Sequence, residues 1–168
     1  QKKADGGKKI FERPFERNPN VLEYGDKEAE IVDFTIEDAD GLASNTIEKM
    51  SEFTIRYQVH FHSDVNAPIY TYTIKDLKGT EITGTNTMYE KVTVEPQKKG
   101  SSQIVAFTQT MNLQGGEYLL SISCTGYENG EFKVYHRLYD VCSISVVSSK
   151  NTVGFYDMDS HVTVMDSE

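Results

Sequence analysis

The stretch Ala67–Thr87, APIYTYTIKDLKGTEITGTNT, reads as a strand, a Lys78-Gly79 turn and a second extended piece. Strand side chains alternate with period two. Tyr70, Tyr72 and Ile74 therefore share one side of the first strand, and Ile69, Thr71, Thr73 and Lys75 share the other. Pro68 stands at the start, where a missing N–H does least harm to a ladder. The apolar side is read as core, and Asn86 as a turn-stabilising side chain.

Strands of the same kind surround this hairpin. Upstream, Phe53, Ile55, Tyr57, Val59 and Phe61 alternate with Thr54, Arg56, Gln58, His60 and His62. Five clean alternations mark a half-buried antiparallel strand. Val32, Phe34 and Ile36 alternate in the same way after Ala29, and residues 42–51 read as a loop or short edge strand. Downstream, a strand is expected near Met88–Val94, then another over Ser102–Leu113 with Val105, Phe107, Met111 and Leu113 inward. Beyond Gly115-Gly116, Tyr118, Leu120, Ile122 and Cys124 face in. Asn129-Gly130 is a hairpin signal, and Phe132–Val147 holds one long strand or two short ones. Leu113–Tyr118 has the form of a tyrosine corner, in which the hydroxyl ties back to upstream backbone. Seven or eight strands with turn signals every 8–15 residues predict an all-β, immunoglobulin-like antiparallel sandwich. Helical periodicity is not evident.

The expected organisation is a linker over residues 1–23, a sandwich over 24–148 and a C-terminal segment over 149–168. Residues 1–20 are polar and aperiodic, with Phe11 and Phe15 as candidates for docking on the body. QKKADGGKK at the start has no apolar run after its lysines, so it reads as linker and not as a signal peptide. Ser148–Asn151 is a polar break. After it, Thr152–Met165 again has strand composition, with Val153, Phe155, Val162 and Val164. A strand placed after a hinge either folds back on its own sheet or completes a partner's, as in domain swapping.

The 168 residues carry a net charge of −9. Residues 1–17 hold six Lys/Arg and three Asp/Glu, a net +3, which leaves −12 for the rest. An acidic body without a basic stripe argues against nucleic acid as partner. No apolar run approaches 18 residues, so no transmembrane helix is expected. Cys124 and Cys142 have no zinc-motif spacing; two free buried thiols in a cytoplasmic protein is the preferred reading, and a bridge between neighbouring strands also fits. No N-x-S/T acceptor site occurs.

No phosphate-binding loop, nucleophile elbow or H-E-x-x-H is present, and no enzyme activity or cofactor is expected. His60 and His62 make an i, i+2 pair without a third ligand nearby, so no metal site is expected. Glu37-Asp38-Ala39-Asp40 lacks the spacing of a calcium loop. What stands out is polar chemistry on strand faces. Arg56, Gln58, His60 and His62 make one group. Thr71, Thr73 and Lys75 make another, with Ser121, Ser123, Ser143 and Ser145 as neighbours. Tyr135, Arg137 and Tyr139 add planar groups opposite the core side of the late strand. Rings stack on apolar sugar faces, while Arg, Gln, His and hydroxyls satisfy sugar hydroxyls. These ten charged, polar and aromatic residues, from Arg56 to Tyr139, are the carbohydrate-binding candidates. An ordinary solvated sheet face is the competing reading.

Four stretches then carry a family resemblance. Tyr24-Gly-Asp-Lys-Glu-Ala-Glu-Ile31 is similar to an opening in which an aromatic or Arg and a Gly precede a strand beginning A-x-I. Pro68–Asp76 resembles P-x-F-G-F-x-I-x-D, Gly79–Thr87 resembles D-G-x-x-V-x-G-T-N-T, and Leu113–Tyr118 matches L-x-x-G-x-Y. In this order they resemble the C-terminal carbohydrate-binding domain of Wzt-type polysaccharide ABC transporters, which export O-antigen in lipopolysaccharide biosynthesis. Thr71 departs from the family, which commonly has Gly there, so the groove differs and the sugar does not carry over. The resemblance implies a β-sandwich behind a cytoplasmic ATPase domain in cis, with a membrane subunit in the full complex at the inner face of the cell membrane. It implies binding of a lipid-linked glycan, often at a modified non-reducing end, and homodimerisation by exchange of the C-terminal strand. It does not say which sheet face binds. The alternative is an immunoglobulin-like structural or dimerisation domain without a sugar site.

Overall fold

The runs of alternating side chains become strands whose apolar residues point between two sheets, except that a register shift between Ile31 and Asp33 turns Val32 outward and buries Ile31 in place of it. The computed structural model describes residues 18–167. In them the strands are β1 (Leu22–Tyr24), β2 (Ala29–Glu37), β3 (Thr46–Glu48), β4 (Glu52–Phe61), β5 (Ile69–Asp76), β6 (Glu81–Asn86), β7 (Ser102–Thr110), β8 (Gly116–Glu128) and β9 (Glu131–Val147). No helix occurs among the described residues. One sheet runs β1-β9-β8-β5-β6, with β3 added beside β9; the other is β2-β4-β7. All pairings are antiparallel except that of β3 with β9. Phe11 and Phe15 lie outside the described residues.

The opening hairpin sits inside the larger sheet, with β5 between β8 and β6. Asp76 makes its turn: the side-chain Oδ1 accepts the Lys78 and Thr80 N–H groups, and Gly79 takes φ 88°. A Cβ on Gly84 would stand 2.6 Å from the Tyr72 carbonyl oxygen, so glycine is what lets β6 lie this close to β5. Tyr70, Tyr72 and Ile74 point into the core, as their alternation predicts. There they meet Tyr57 and Phe107 of the facing sheet. Tyr57 crosses Tyr70 edge-on at 6.1 Å, and Tyr72 meets Phe107 at 5.1 Å. Such ring pairs add roughly 0.5–1.5 kcal/mol each to what area burial contributes.

Tyr57 also ties the two sheets together by hydrogen bonds. From β4 its hydroxyl accepts the Thr71 N–H at 3.0 Å and donates towards Ser123 O at 2.9 Å and Thr71 O at 3.2 Å. Nearby, Tyr70 donates its hydroxyl to Gln103 of β7. The tyrosine corner forms as expected, with Tyr118 donating to Gln114 O at 2.6 Å. Cys124 and Cys142 are both free and buried. Burial pushes both thiols up, Cys142 to about 12, so neither is a reactive thiolate near neutral pH.

Other expectations fail for identifiable reasons. Residues 88–94 form no strand, because the chain turns over residues 87–91: Asn86 Oδ1 accepts the Tyr89 N–H at 2.7 Å, Val92 N–H returns to Thr87 O, and Lys91 takes φ 57°. Tyr135 does not stand opposite the core side. The register slips between Cys124 and Thr125 of β8, leaving Tyr135 as an extra residue on β9. Its side chain is 1% exposed and packs over Gly126. Strict alternation through residues 135, 137 and 139 does not survive that bulge.

Within a single chain Thr152–Met165 forms no strand. One isolated bridge joins Leu113 to Tyr156. Asp157 N–H reaches Asn112 O, and Gln114 N–H reaches Phe155 O. Lys49 Nζ lies 2.6 Å from Asp157 Oδ2, with the two side chains 5% and 3% exposed. The same ammonium donates to Gln114 Oε1 and to Lys150 O. The polar break is thus pinned to the body. Beyond Asp159 no backbone hydrogen bond joins the segment to the body among the described residues, and Val162, Val164 and Met165 are exposed. Strand composition without an adjacent edge makes no strand.

Candidate functional site

Register places the polar side of the opening strand in the middle of a continuous band. Across the outer face of the larger sheet, Tyr24 stands opposite Arg137, Arg137 opposite Ser123, Ser123 opposite Thr71, and Thr71 opposite Asn86. One row on, Thr73 lies between Ser121 and Gly84. Paired residues share a face. The centre of the face is therefore built from Ser, Thr and Gly, and its edges from larger groups. Ser121, Ser123 and Thr125 are nearly buried although they face outward, because the flanking side chains rise above them.

The low centre opens into two adjoining cavities. One, of about 200 Å³, is lined by Thr71, Thr73, Lys75, Ser121, Ser123, Arg137 and Tyr139, with Glu81 and Ile122. The other, of about 540 Å³, extends from Thr71, Thr73, Glu81 and Arg137 to Asn86, Met88, Tyr89, Thr125, Tyr127 and Phe132. Four residues, Thr71, Thr73, Glu81 and Arg137, line both.

The charged wall is held by a second irregularity of β9. Between the pairs Leu120–Cys142 and Ile122–Leu138 the register shifts again. Asp140 takes φ 53° there, and its N–H donates to Ser121 Oγ at 2.9 Å. This bulge sets Tyr139 beside two cations: Lys75 Nζ is 5.2 Å and the Arg137 guanidinium carbon 5.7 Å from its ring centre. Arg137 Nη1 donates to the Tyr139 hydroxyl at 3.2 Å, and Lys75 lies 3.7 Å from Asp140 Oδ1. Arg137 lines both cavities and so stands where they meet.

The ten sequence-predicted residues divide three ways. Thr71, Thr73, Lys75, Arg137 and Tyr139 come together around this groove. Arg56, Gln58, His60 and His62 lie on the outer face of the smaller sheet, on the far side of the sandwich. Several of those are engaged by neighbours: Arg56 pairs with Glu37 at 3.3 Å, His60 Nδ1 meets Ser102 Oγ at 2.8 Å, and His62 Nε2 is 3.5 Å from Glu30. Tyr135 belongs to the core. Burial, ahead of the neighbouring Glu128, pushes its hydroxyl up to about 12. No cluster of three or more His, Cys, Asp or Glu able to hold a metal occurs among the described residues.

Sequence reasoning missed the aromatic end of the groove. Tyr127 and Phe132 stand opposite each other across the Asn129-Gly130 turn, with ring centres 5.6 Å apart. The signal was present, since a two-residue hairpin loop fixes which flanking side chains become partners. Tyr89 and Met88 arrive through the turn that replaced the expected strand, and nothing in their spacing announces it.

The profile of the Wzt C-terminal domain matches residues 20–158. The crystal structure of the C-terminal domain of wzt superposes with a TM-score of 0.81 at 24% identity, covering 89% of this chain and 91% of that one. At that identity the likeness establishes the fold. A CARDB domain from Pyrococcus furiosus (14% identity, 68% of this chain, 94% of that chain) and a β-glucosidase from Listeria innocua (10%, 74% and 17%) reach only 0.39 and 0.40. Scores that low say nothing about this chain's function. No curated protein sequence matches. With the family profile spanning most of its length, the chain belongs to the Wzt C-terminal domain family.

Proposed function

We propose that this domain is a non-catalytic glycan-binding module of a polysaccharide ABC exporter, and that the groove on the outer face of the larger sheet receives the lipid-linked polysaccharide. The observation that carries the reading is the low floor of Ser121, Ser123, Thr71 and Thr73 between the Arg137–Tyr139–Lys75 wall and the Tyr127–Phe132 pair. Small hydroxyl side chains leave room for a ring to lie on the sheet and exchange hydrogen bonds with it. Planar groups at the margins cover apolar sugar faces. A shallow site of this kind binds in the micromolar to millimolar range, roughly −8 to −4 kcal/mol.

In the same reading the domain works behind an ATPase domain in cis at the cytoplasmic face of the membrane, with a membrane subunit as further partner. Two copies pair through residues 152–165, whose exposed Val162, Val164 and Met165 would be covered by a partner's sheet edge. Two sites in one dimer retain a polymer better than one by raising the effective concentration. The test is retention of the purified domain on immobilised exported polysaccharide from its own source cells. Wild type is retained, and Arg137→Ala elutes early. Equal elution of both from this matrix and from an unrelated glucan refutes the reading.

A second reading, assembly without sugar, rests on the same exposed C-terminal residues. It predicts a dimer by light scattering that 158–168 deletion abolishes, together with no retention on any polysaccharide.

A further inference from the structure

The two cavities of the groove differ in chemistry as well as size. The smaller is walled by Lys75, Arg137 and Tyr139 over the hydroxyls of Ser121 and Ser123. The larger is bounded at its far end by Met88, Tyr89, Tyr127 and Phe132. At about 540 Å³ it falls within the size that takes a drug-sized ligand, about 300–1,000 Å³. The floor between them is continuous, because Thr71 and Thr73 belong to both and Arg137 stands where they meet.

We infer that the groove is a two-subsite track for at least two consecutive sugar residues, a charged subsite at Lys75–Arg137–Tyr139 and a stacking subsite at Tyr127–Phe132, with Arg137 at the linkage between them. This rests on the glycan reading above and adds the length and polarity of the ligand segment. Two features of the fold support the division. The Ser121–Asp140 bulge fixes the charged wall, while the Asn129-Gly130 turn independently fixes the ring pair. Neither wall spans the whole groove. A single ring over Ser121 and Ser123 therefore meets hydrogen-bond donors and Tyr139 but not Phe132. A second ring is needed to reach the pair, and its apolar face is what exposed rings of Tyr and Phe accept. The Tyr127 and Phe132 rings are each about half exposed, so they are available for that contact.

The experiment uses the exported polysaccharide of the source cells and its mild-acid fragments, separated by length, titrated into the 15N-labelled domain. Fragments of two or more residues should bind about tenfold tighter than the monosaccharides, shifting amides at both Ser121–Ser123 and Tyr127–Phe132. In F132S and Y127S the fragment affinity should fall about fivefold to tenfold, the scale of one lost ring contact, while monosaccharide-induced shifts at Ser121 and Ser123, in the cavity that neither ring lines, stay unchanged. Both side chains lie at an exposed hairpin, and an unchanged thermal midpoint and amide spectrum elsewhere will show that the variants fold. Fragments that bind no tighter than monosaccharides, or that shift only one cavity, overturn the two-subsite track and leave the glycan reading standing. Polymer that shifts neither cavity overturns both.

Discussion

Removing one oxygen atom from the core should loosen the floor of the groove from behind. Tyr57 is fully buried on β4, and its hydroxyl serves the backbones of Thr71 and Ser123, the two residues whose side chains make the centre of the outer face. In Y57F the ring packing with Tyr70 and Phe107 stays. One donated and one accepted hydrogen bond go, and the Thr71 N–H and Ser123 carbonyl lose that partner in a site closed to water. Each intramolecular bond is worth about 1 kcal/mol net, and a stranded buried group costs about 1–3 kcal/mol. The expected loss is therefore roughly 2–4 kcal/mol, a large share of the 5–15 kcal/mol typical of a domain. For a chain of this length that lowers the thermal midpoint by roughly 5–15 °C. The sequence has no tryptophan, so urea unfolding is best followed by far-ultraviolet circular dichroism. The midpoint should drop at constant slope, and the Thr71 and Ser123 amide resonances should move. A loss below about 0.5 kcal/mol, with those resonances unmoved, would refute the role given to the hydroxyl.

Two further outcomes are expected. Y118F removes the corner bond to Gln114 O and should cost about 1–2 kcal/mol by urea unfolding; no change would mean the corner is dispensable here. The docking of residues 152–157 should be acid-sensitive. Hydrogen bonding to Lys49, then to the Asp159 N–H, holds the Asp157 carboxyl below its ordinary value of 3.8. A depressed folded value stabilises the docked segment above that ordinary value, and the contribution is lost as pH falls below it through the folded value. Amide protection of Asp157 and Gln114 should therefore decay at pH below 3.8 before that of β8, and K49M should release the same amides at neutral pH. Protection that persists in K49M would contradict the latch.

Much of the fold was legible because its signals are local. Alternation in Phe53–Phe61 and Tyr70–Ile74, the Asp76–Gly79 turn and the Leu113–Tyr118 corner each needed only neighbours in sequence. Half of the candidate site followed, since Thr71, Thr73, Lys75, Arg137 and Tyr139 keep the polar side of strands that form as read. The failures share one physical cause, competition from contacts distant in sequence or specific in geometry. The register shift of β9 at Tyr135 broke the alternation that had grouped Tyr135 with Arg137. An Asn86 side chain turned residues 88–94 away from strand and brought Tyr89 into the groove. Arg56 and His60 look as polar in sequence as Arg137, yet they lie on the other sheet, a distinction that only strand order makes.

The claim that the outer face of the larger sheet receives the glycan is tested most directly by mapping amide shifts while the exported polysaccharide is added to the labelled domain. Shifts gathered at Thr71, Thr73, Ser121, Ser123 and Arg137, with Gln58 and His60 silent, are the predicted result. Shifts gathered at Gln58 and His60, or none at all, would contradict it.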